Sequence, residues 1–257
     1  MRIGITERGD PSNDWSWVEK VRKTDGAIII TKRITNYVAN NIIKLYNEGF
    51  PIMLHAGCTG WGGTYMEPYV PLYNIQLESI KHLLAVSFPK DRIVLRIDPI
   101  IPTTEGLQRI KNVLDYAIQA GILPGMRVRI SVLDEYRHVK ARFANEGLPE
   151  IFPGRFTAGP SEIQALTETL RPYYEQYGIK FECCAENQLV DQIYIHTGCV
   201  GIQDLTTMGL QPDTELTNRQ NRSGCKCLAM KYELLNKKAQ CANRCKYCYW
   251  QQDFKPN

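Results

Sequence analysis

The sequence lacks the features that would place it in a membrane. No apolar run reaches the roughly 18 residues of a spanning helix. The opening Met-Arg-Ile-Gly-Ile-Thr-Glu-Arg has neither a long apolar stretch nor the cleavage pattern of a secretory leader. The expectation is a cytoplasmic protein with no membrane partner. A strong charge of one sign is also missing: 31 Lys and Arg stand against 27 Asp and Glu, a net charge of +4. Such a balance permits an anionic partner without requiring one, because nucleic-acid binders usually carry a stronger basic bias. Phosphate-binding fingerprints are absent. Thr59-Gly60-Trp61-Gly62-Gly63-Thr64 is glycine-rich, but it matches neither the Walker nor the dinucleotide pattern, and it reads as a ligand-approaching loop or a lid.

The chain has 257 residues, of which 44% are hydrophobic, 10% aromatic and 23% charged. That is too apolar for a disordered chain and long enough to bury a core without disulfide staples. Short β-rich runs at 2–6, 26–31, 51–55, 92–98, 126–133 and 180–184 alternate with helical stretches, and a seventh strand is expected near 199–202. Over 105–120, Leu107, Ile110, Leu114, Ala117 and Ile118 share one helical face, and Gly121 follows as a stop. Stretches 37–46 and 75–85 also read as helices, and Ser161-Glu162-Ile163-Gln164 reads as a capping box opening another. Repeated βα units predict a parallel sheet. The favoured architecture is a TIM-like (β/α) barrel, full or partial, over residues 1–205. A cysteine-rich segment, 206–257, packs on it without a strand of its own.

In Ile93-Val94-Leu95-Arg96-Ile97-Asp98, the apolar Ile93, Leu95 and Ile97 share one face, and Arg96 and Asp98 share the other. Arg127, Arg129 and Ser131 likewise oppose Val128, Ile130 and Val132. Polar groups on one sheet face suit a ligand-filled interior or an internal ion pair, since buried charges persist when paired. Arg8, Asp10, Lys32, His55, Asp98, Asp134 and Glu186 fall where the strands end, the rim on which α/β proteins build their sites. Arg96, Asp98 and Glu186 are therefore the candidate catalytic residues. Arg8, Asp10, Lys32, Arg129 and Asp134 are candidates for cofactor binding. His55 is either an acid–base group or a core histidine.

Nine cysteines in such a chain point to metal or redox chemistry rather than disulfides. Five lie in the last 33 residues: Cys225-Lys-Cys227, thirteen residues, then Cys241-Ala-Asn-Arg-Cys245-Lys-Tyr-Cys248. Three thiolates within eight residues can ligate three irons of a 4Fe-4S cluster, the fourth iron being open or ligated from elsewhere. Cys225 and Cys227 are candidates to close it. They also allow a zinc site with Cys245 and Cys248. Cys184 and Cys199 can serve a second centre if the tail folds back to them, or they are simply buried thiols.

The Cys241-x3-Cys245-x2-Cys248 run resembles the CxxxCxxC motif of radical-SAM enzymes, and Cys245-Lys-Tyr-Cys248-Tyr is similar to the spore photoproduct lyase branch. The resemblance implies that Cys241, Cys245 and Cys248 hold the cluster and that S-adenosylmethionine chelates its open iron. It also implies an external electron donor and a nucleic-acid base or nucleotide as substrate. In that superfamily the motif follows the first strand. Here nine residues follow Cys248, so the expected barrel is circularly permuted, with the cluster loop last. The alternatives are a closed cluster for electron transfer, sensing or structure, and a zinc-stabilised nucleic-acid-binding module.

A second resemblance spans most of the chain. Arg8-Gly9-Asp10-Pro11, the segment from Asp25 to Lys32, Glu67-Pro68, Arg96-Ile97-Asp98-Pro99, the segment from Ser131 to Lys140, Cys184-Ala185-Glu186, Cys199 and the terminal cysteines are similar to the domain-of-unknown-function family numbered 1848. Glu7-Arg8 stands where that family tends to have paired arginines, and Cys183 is additional.

Overall fold

The computed structural model describes residues 1–211, 225–227, 231–236 and 241–250. Residues 212–224, 228–230, 237–240 and 251–257 lie outside the described residues, as does any reading made on them.

Eight strands form one fully parallel sheet: β1 (Ile3–Ile5), β2 (Gly26–Thr31), β3 (Ile52–Gly57), β4 (Ile93–Ile100), β5 (Arg127–Val132), β6 (Phe181–Cys183), β7 (Tyr194–His196) and β8 (Lys231–Glu233). Their spatial order is β7-β6-β5-β4-β3-β2-β1-β8. The strands up to β7 are laid down in chain order, and the last one returns to lie beside the first. Ile3 faces Lys231, and Ile5 faces Glu233.

Between them run α1 (Ser16–Lys20), α2 (Asn36–Asn47), α3 (Tyr73–Ala85), α4 (Thr104–Gln119), α5 (Arg137–Asn145), α6 (Pro160–Tyr177) and α7 (Ile202–Thr207). Thr35 and Thr103 cap α2 and α4 by accepting the amides of Val38 and Gly106. Helix α6 opens two residues earlier than a Ser161 cap suggests, at Pro160 behind Gly159, with Glu162 accepting the amide of Gly159. No helix among the described residues is long and apolar enough to cross a membrane.

The period of two in each strand sorts side chains between two environments. Ala27, Ile29, Ile52, Leu54, Ile93, Leu95, Val128 and Ile130 join the large core with residues of α2, α3, α4 and α6. The opposite face carries Ile3, Ile5, Ile28, Met53 and Val94, and these pack on Val200, Leu205 and Met208 around α7. The longer helices thus cover one face, and one short helix covers the other.

Two expectations are corrected. The seventh strand is Tyr194–His196, while 199–202 turns into α7 behind Gly201. The C-terminal segment does contribute a strand, β8.

Candidate functional site

A cavity of about 670 Å³ opens where the strands end. Each strand's carboxyl end supplies lining: Thr6 after β1, Lys32 after β2, Gly57 on β3, Asp98 on β4, Ser131 to Asp134 from β5, Cys184 after β6, Cys199 after β7 and Glu233 on β8. The terminal loop closes one side with Cys241, Asn243, Cys245, Tyr247 and Cys248.

That loop is fastened to the sheet by buried polar contacts. Oδ2 of Asp10 accepts from the Lys32 amide at 2.9 Å and from Nδ2 of Asn243 at 2.9 Å, while Oδ1 accepts from Thr31 Oγ1. Lys32 Nζ donates to Glu67 Oε1 at 2.9 Å, to the Asp98 carbonyl at 3.0 Å and to the Tyr247 hydroxyl at 2.9 Å. The Tyr247 hydroxyl also donates to Glu67. Burial disfavours the Lys32 ammonium, but Glu67 and Cys245 outweigh that and raise its pKa above the ordinary value. Arg142 reaches the carbonyls of Lys246 and Cys248, and the Lys246 amide donates to the Met66 carbonyl. Asp10 and Lys32 therefore hold the cysteine loop in place. Glu67, Asn243 and the Tyr247 hydroxyl are partners the sequence reading did not assign.

Of the loop's cysteines, Cys245 is buried and Cys241 and Cys248 are half-buried. Burial, with Asp10 nearby, pushes Cys241 up to about 12, and burial with Glu67 raises Cys245 well above its ordinary value. Metal binding at these sulfurs must displace protons.

Arg96 and Asp98 form an ion pair on the cavity wall. Nη1 of Arg96 is buried without a hydrogen-bond partner among the described residues. Arg8 and Asp134 also line the cavity, and the Arg8 guanidinium stacks on Trp250 at 4.6 Å. Tyr136, Tyr249 and Trp250 make an aromatic side wall, with ring centroids 5.8 and 5.0 Å apart along the series. Beside β1 and β8, Lys231 pairs with Glu7 at 2.8 Å, and Glu233 accepts the amides of Glu7 and Arg8.

Two candidates sit elsewhere. Arg129 is buried in the sheet and pairs with Glu182 and Asp204, beside Arg127 and His55. Of the two readings of that polar face, the internal ion pair describes Arg127 and Arg129, while Arg96 and Asp98 face the cavity. Glu186 is 2% exposed and accepts from Ser131 Oγ at 2.9 Å and the Val132 amide at 3.0 Å, so it braces the wall from behind. His55 is fully buried beside Asp204 at 3.6 Å. The glycine-rich loop is packed: a Cβ on Gly62 would overlap the Pro71 carbonyl oxygen.

Cys225 and Cys227 do not join the terminal trio. They gather with Cys184, the three sulfurs lying within 4.8 Å of one another, and this buried triad can bind a metal ion or cluster.

No curated protein matches the chain. A family model described as a domain of unknown function, DUF1848, matches residues 6–250, so the chain belongs to that family.

Proposed function

We propose that this protein is a radical-SAM-like enzyme. Cys241, Cys245 and Cys248 would hold a 4Fe-4S cluster at the mouth of the cavity, with S-adenosylmethionine on its open iron. The cluster supplies an electron that cleaves the sulfonium and starts radical chemistry on a second substrate. The carrying observation is the partition of the cysteines. The trio lines the cavity, while Cys225 and Cys227, the expected fourth ligands, lie with Cys184.

The residues present fit the group. Three thiols from one loop face a cavity within the roughly 300–1,000 Å³ range of small-molecule sites. The unpartnered Nη1 of Arg96 offers a charged donor to a carboxylate, and Asp98 fixes the guanidinium that presents it. Arg8, Asp134 and Ser131 add polar contacts around that point. The Tyr136–Tyr249–Trp250 wall suits a flat heteroaromatic ring, which agrees with a nucleotide or base as substrate. Lys32, Asp10 and Arg142 keep the loop in position.

Strand order supports a permuted barrel. Each strand end touches one common cavity, the longer helices share one face, and β8 lies beside β1. Taken in spatial order from β8, the cysteine loop follows the first strand, and β1 to β7 come after it.

The test is anoxic reconstitution, reduction, and addition of S-adenosylmethionine. The expected result is an altered paramagnetic spectrum and formation of 5′-deoxyadenosine, both lost in Cys245→Ala. An unchanged spectrum with no 5′-deoxyadenosine, or a cluster with four protein thiolates, overturns the reading in favour of a closed electron-transfer or structural cluster.

A further inference from the structure

The remaining cysteines form a second constellation with its own geometry. Cys184 Sγ lies 3.4 Å from Cys227 Sγ and 3.9 Å from Cys225 Sγ. Cys199 packs against these three residues, and its backbone amide donates to Cys227 Sγ at 3.1 Å. These separations are too long for a disulfide, whose sulfurs are about 2.05 Å apart. They suit three corners of a tetrahedron, since metal–sulfur bonds of about 2.3 Å give sulfur–sulfur edges of roughly 3.8 Å, and Cys199 stands beside the three as the fourth donor. An iron–sulfur cube spreads its thiolates further apart than a single ion does. Four soft thiolates in tetrahedral array select zinc.

The surroundings are built to bring these sulfurs together. Cys183 and Cys184 are consecutive, so their side chains diverge. Cys183 joins the large core, and Cys184 turns toward the other sulfurs at the strand's end. Ala185 follows with φ of +55°, which bends the chain away. Gly198 sits against the backbone of the partner segment: a Cβ there would lie 2.4 Å from the Lys226 carbonyl oxygen and 2.8 Å from Cys227 Cα. Buried Arg129 donates to the Cys199 carbonyl at 2.7 Å, which ties this loop to the ion-pair cluster in the sheet.

The geometry points to a zinc ion held by Cys184, Cys199, Cys225 and Cys227, distinct from the terminal trio and clasping the loops after β6 and β7 to the segment that leads into β8. Binding deprotonates the four thiols and changes no oxidation state, so no electron donor is involved. β7 and β8 end the strand order on opposite sides, and the ion joins their flanking segments where the described strands do not pair. Its role is structural, and it is independent of the cleavage reading.

The test is metal analysis of the full-length protein purified without oxygen. One zinc per chain is expected beside the cluster iron. Cys241→Ala/Cys245→Ala/Cys248→Ala should lose iron and keep its zinc, whereas Cys225→Ser/Cys227→Ser should lose zinc. X-ray absorption at the zinc edge of the unaltered protein should give four sulfurs at about 2.3 Å, a readout that does not depend on the variants folding. Iron in place of zinc at these cysteines, zinc with oxygen or nitrogen ligands, a Cys184–Cys227 disulfide without metal, or zinc that vanishes with the terminal trio would each overturn the assignment. Absence of 5′-deoxyadenosine would leave the zinc count unchanged, so the two proposals fail separately.

Discussion

Asn243, between the first two cysteines of the terminal run, donates from Nδ2 to Oδ2 of Asp10, 233 residues earlier in the chain, at 2.9 Å. That carboxylate also accepts the Lys32 amide and the Thr31 hydroxyl. One acidic side chain therefore registers the cysteine loop against the ends of β1 and β2.

Asp10→Ala should accordingly damage the loop more than the sheet. Hydrogen bonds to a charged group contribute about 1.5–3 kcal/mol each, and the donors left behind are buried. The expected outcome is a drop in iron retained per chain under mild chelation, with far-ultraviolet circular dichroism unchanged. Iron retention equal to that of the parent protein would show that the loop needs no such anchor.

Lys32 and Glu67 should behave as a unit. Lys32→Met leaves Glu67 charged and fully buried, which costs about 3–5 kcal/mol. Adding Glu67→Gln should recover part of that loss. A double-mutant cycle by urea unfolding checks this, and additive effects would mean the two side chains do not interact.

Arg96→Lys keeps a positive charge near Asp98 but removes the fork that leaves Nη1 free. On the proposed function, loss of a charge-assisted hydrogen bond of about 1.5–3 kcal/mol should weaken S-adenosylmethionine binding roughly 10- to 100-fold. Equilibrium dialysis against the reconstituted protein measures it, and the iron content should stay constant.

His55 gives a pH signature. Burial lowers its pKa from 6.5 to about 4, despite Asp204 alongside. The folded protein keeps the imidazole neutral, while the unfolded chain protonates it below 6.5. Its stabilising effect is therefore complete above pH 6.5 and declines as the pH falls toward 4, by about 3 kcal/mol over that window. Urea titrations from pH 8 to 4.5 should show this decline in the parent protein and a shallower one in His55→Gln. Parallel curves would count against it.

Gly198→Ala should lower zinc occupancy without touching a ligand, because its Cβ displaces the Lys226–Cys227 backbone. Zinc release to a colorimetric chelator should be faster than in the parent protein, with iron content unaltered.

Much of the fold could be read from alternation alone. Strands β2 to β5 carry enough apolar residues on one face to mark themselves, and the cavity lies on the rim where they end. β8 escaped because Lys-Tyr-Glu has no apolar alternation. Its Lys231 and Glu233 face Glu7 and the amides after β1, so the strand is polar by virtue of its contacts. β7 lies earlier than expected, at Tyr194–His196, and Gly198 and Gly201 turn the chain after it into α7. The face of Arg129 was readable from the period of two. Its partners were not, because Glu182 and Asp204 arrive from distant parts of the chain. The same limit applied to the sulfurs: spacing singled out the terminal trio, but it could not say that Cys225 and Cys227 would meet Cys184.

The neighbour of β1 on its outer side is β8. During synthesis, β1 therefore keeps a bare row of amides and carbonyls on that side until residue 233 has emerged. An unpaired parallel edge invites pairing with another nascent chain. Interruption of translation shortly before Lys231 should thus leave a product that is unusually sticky, and the arrival of β8 beside β1 is what removes that hazard.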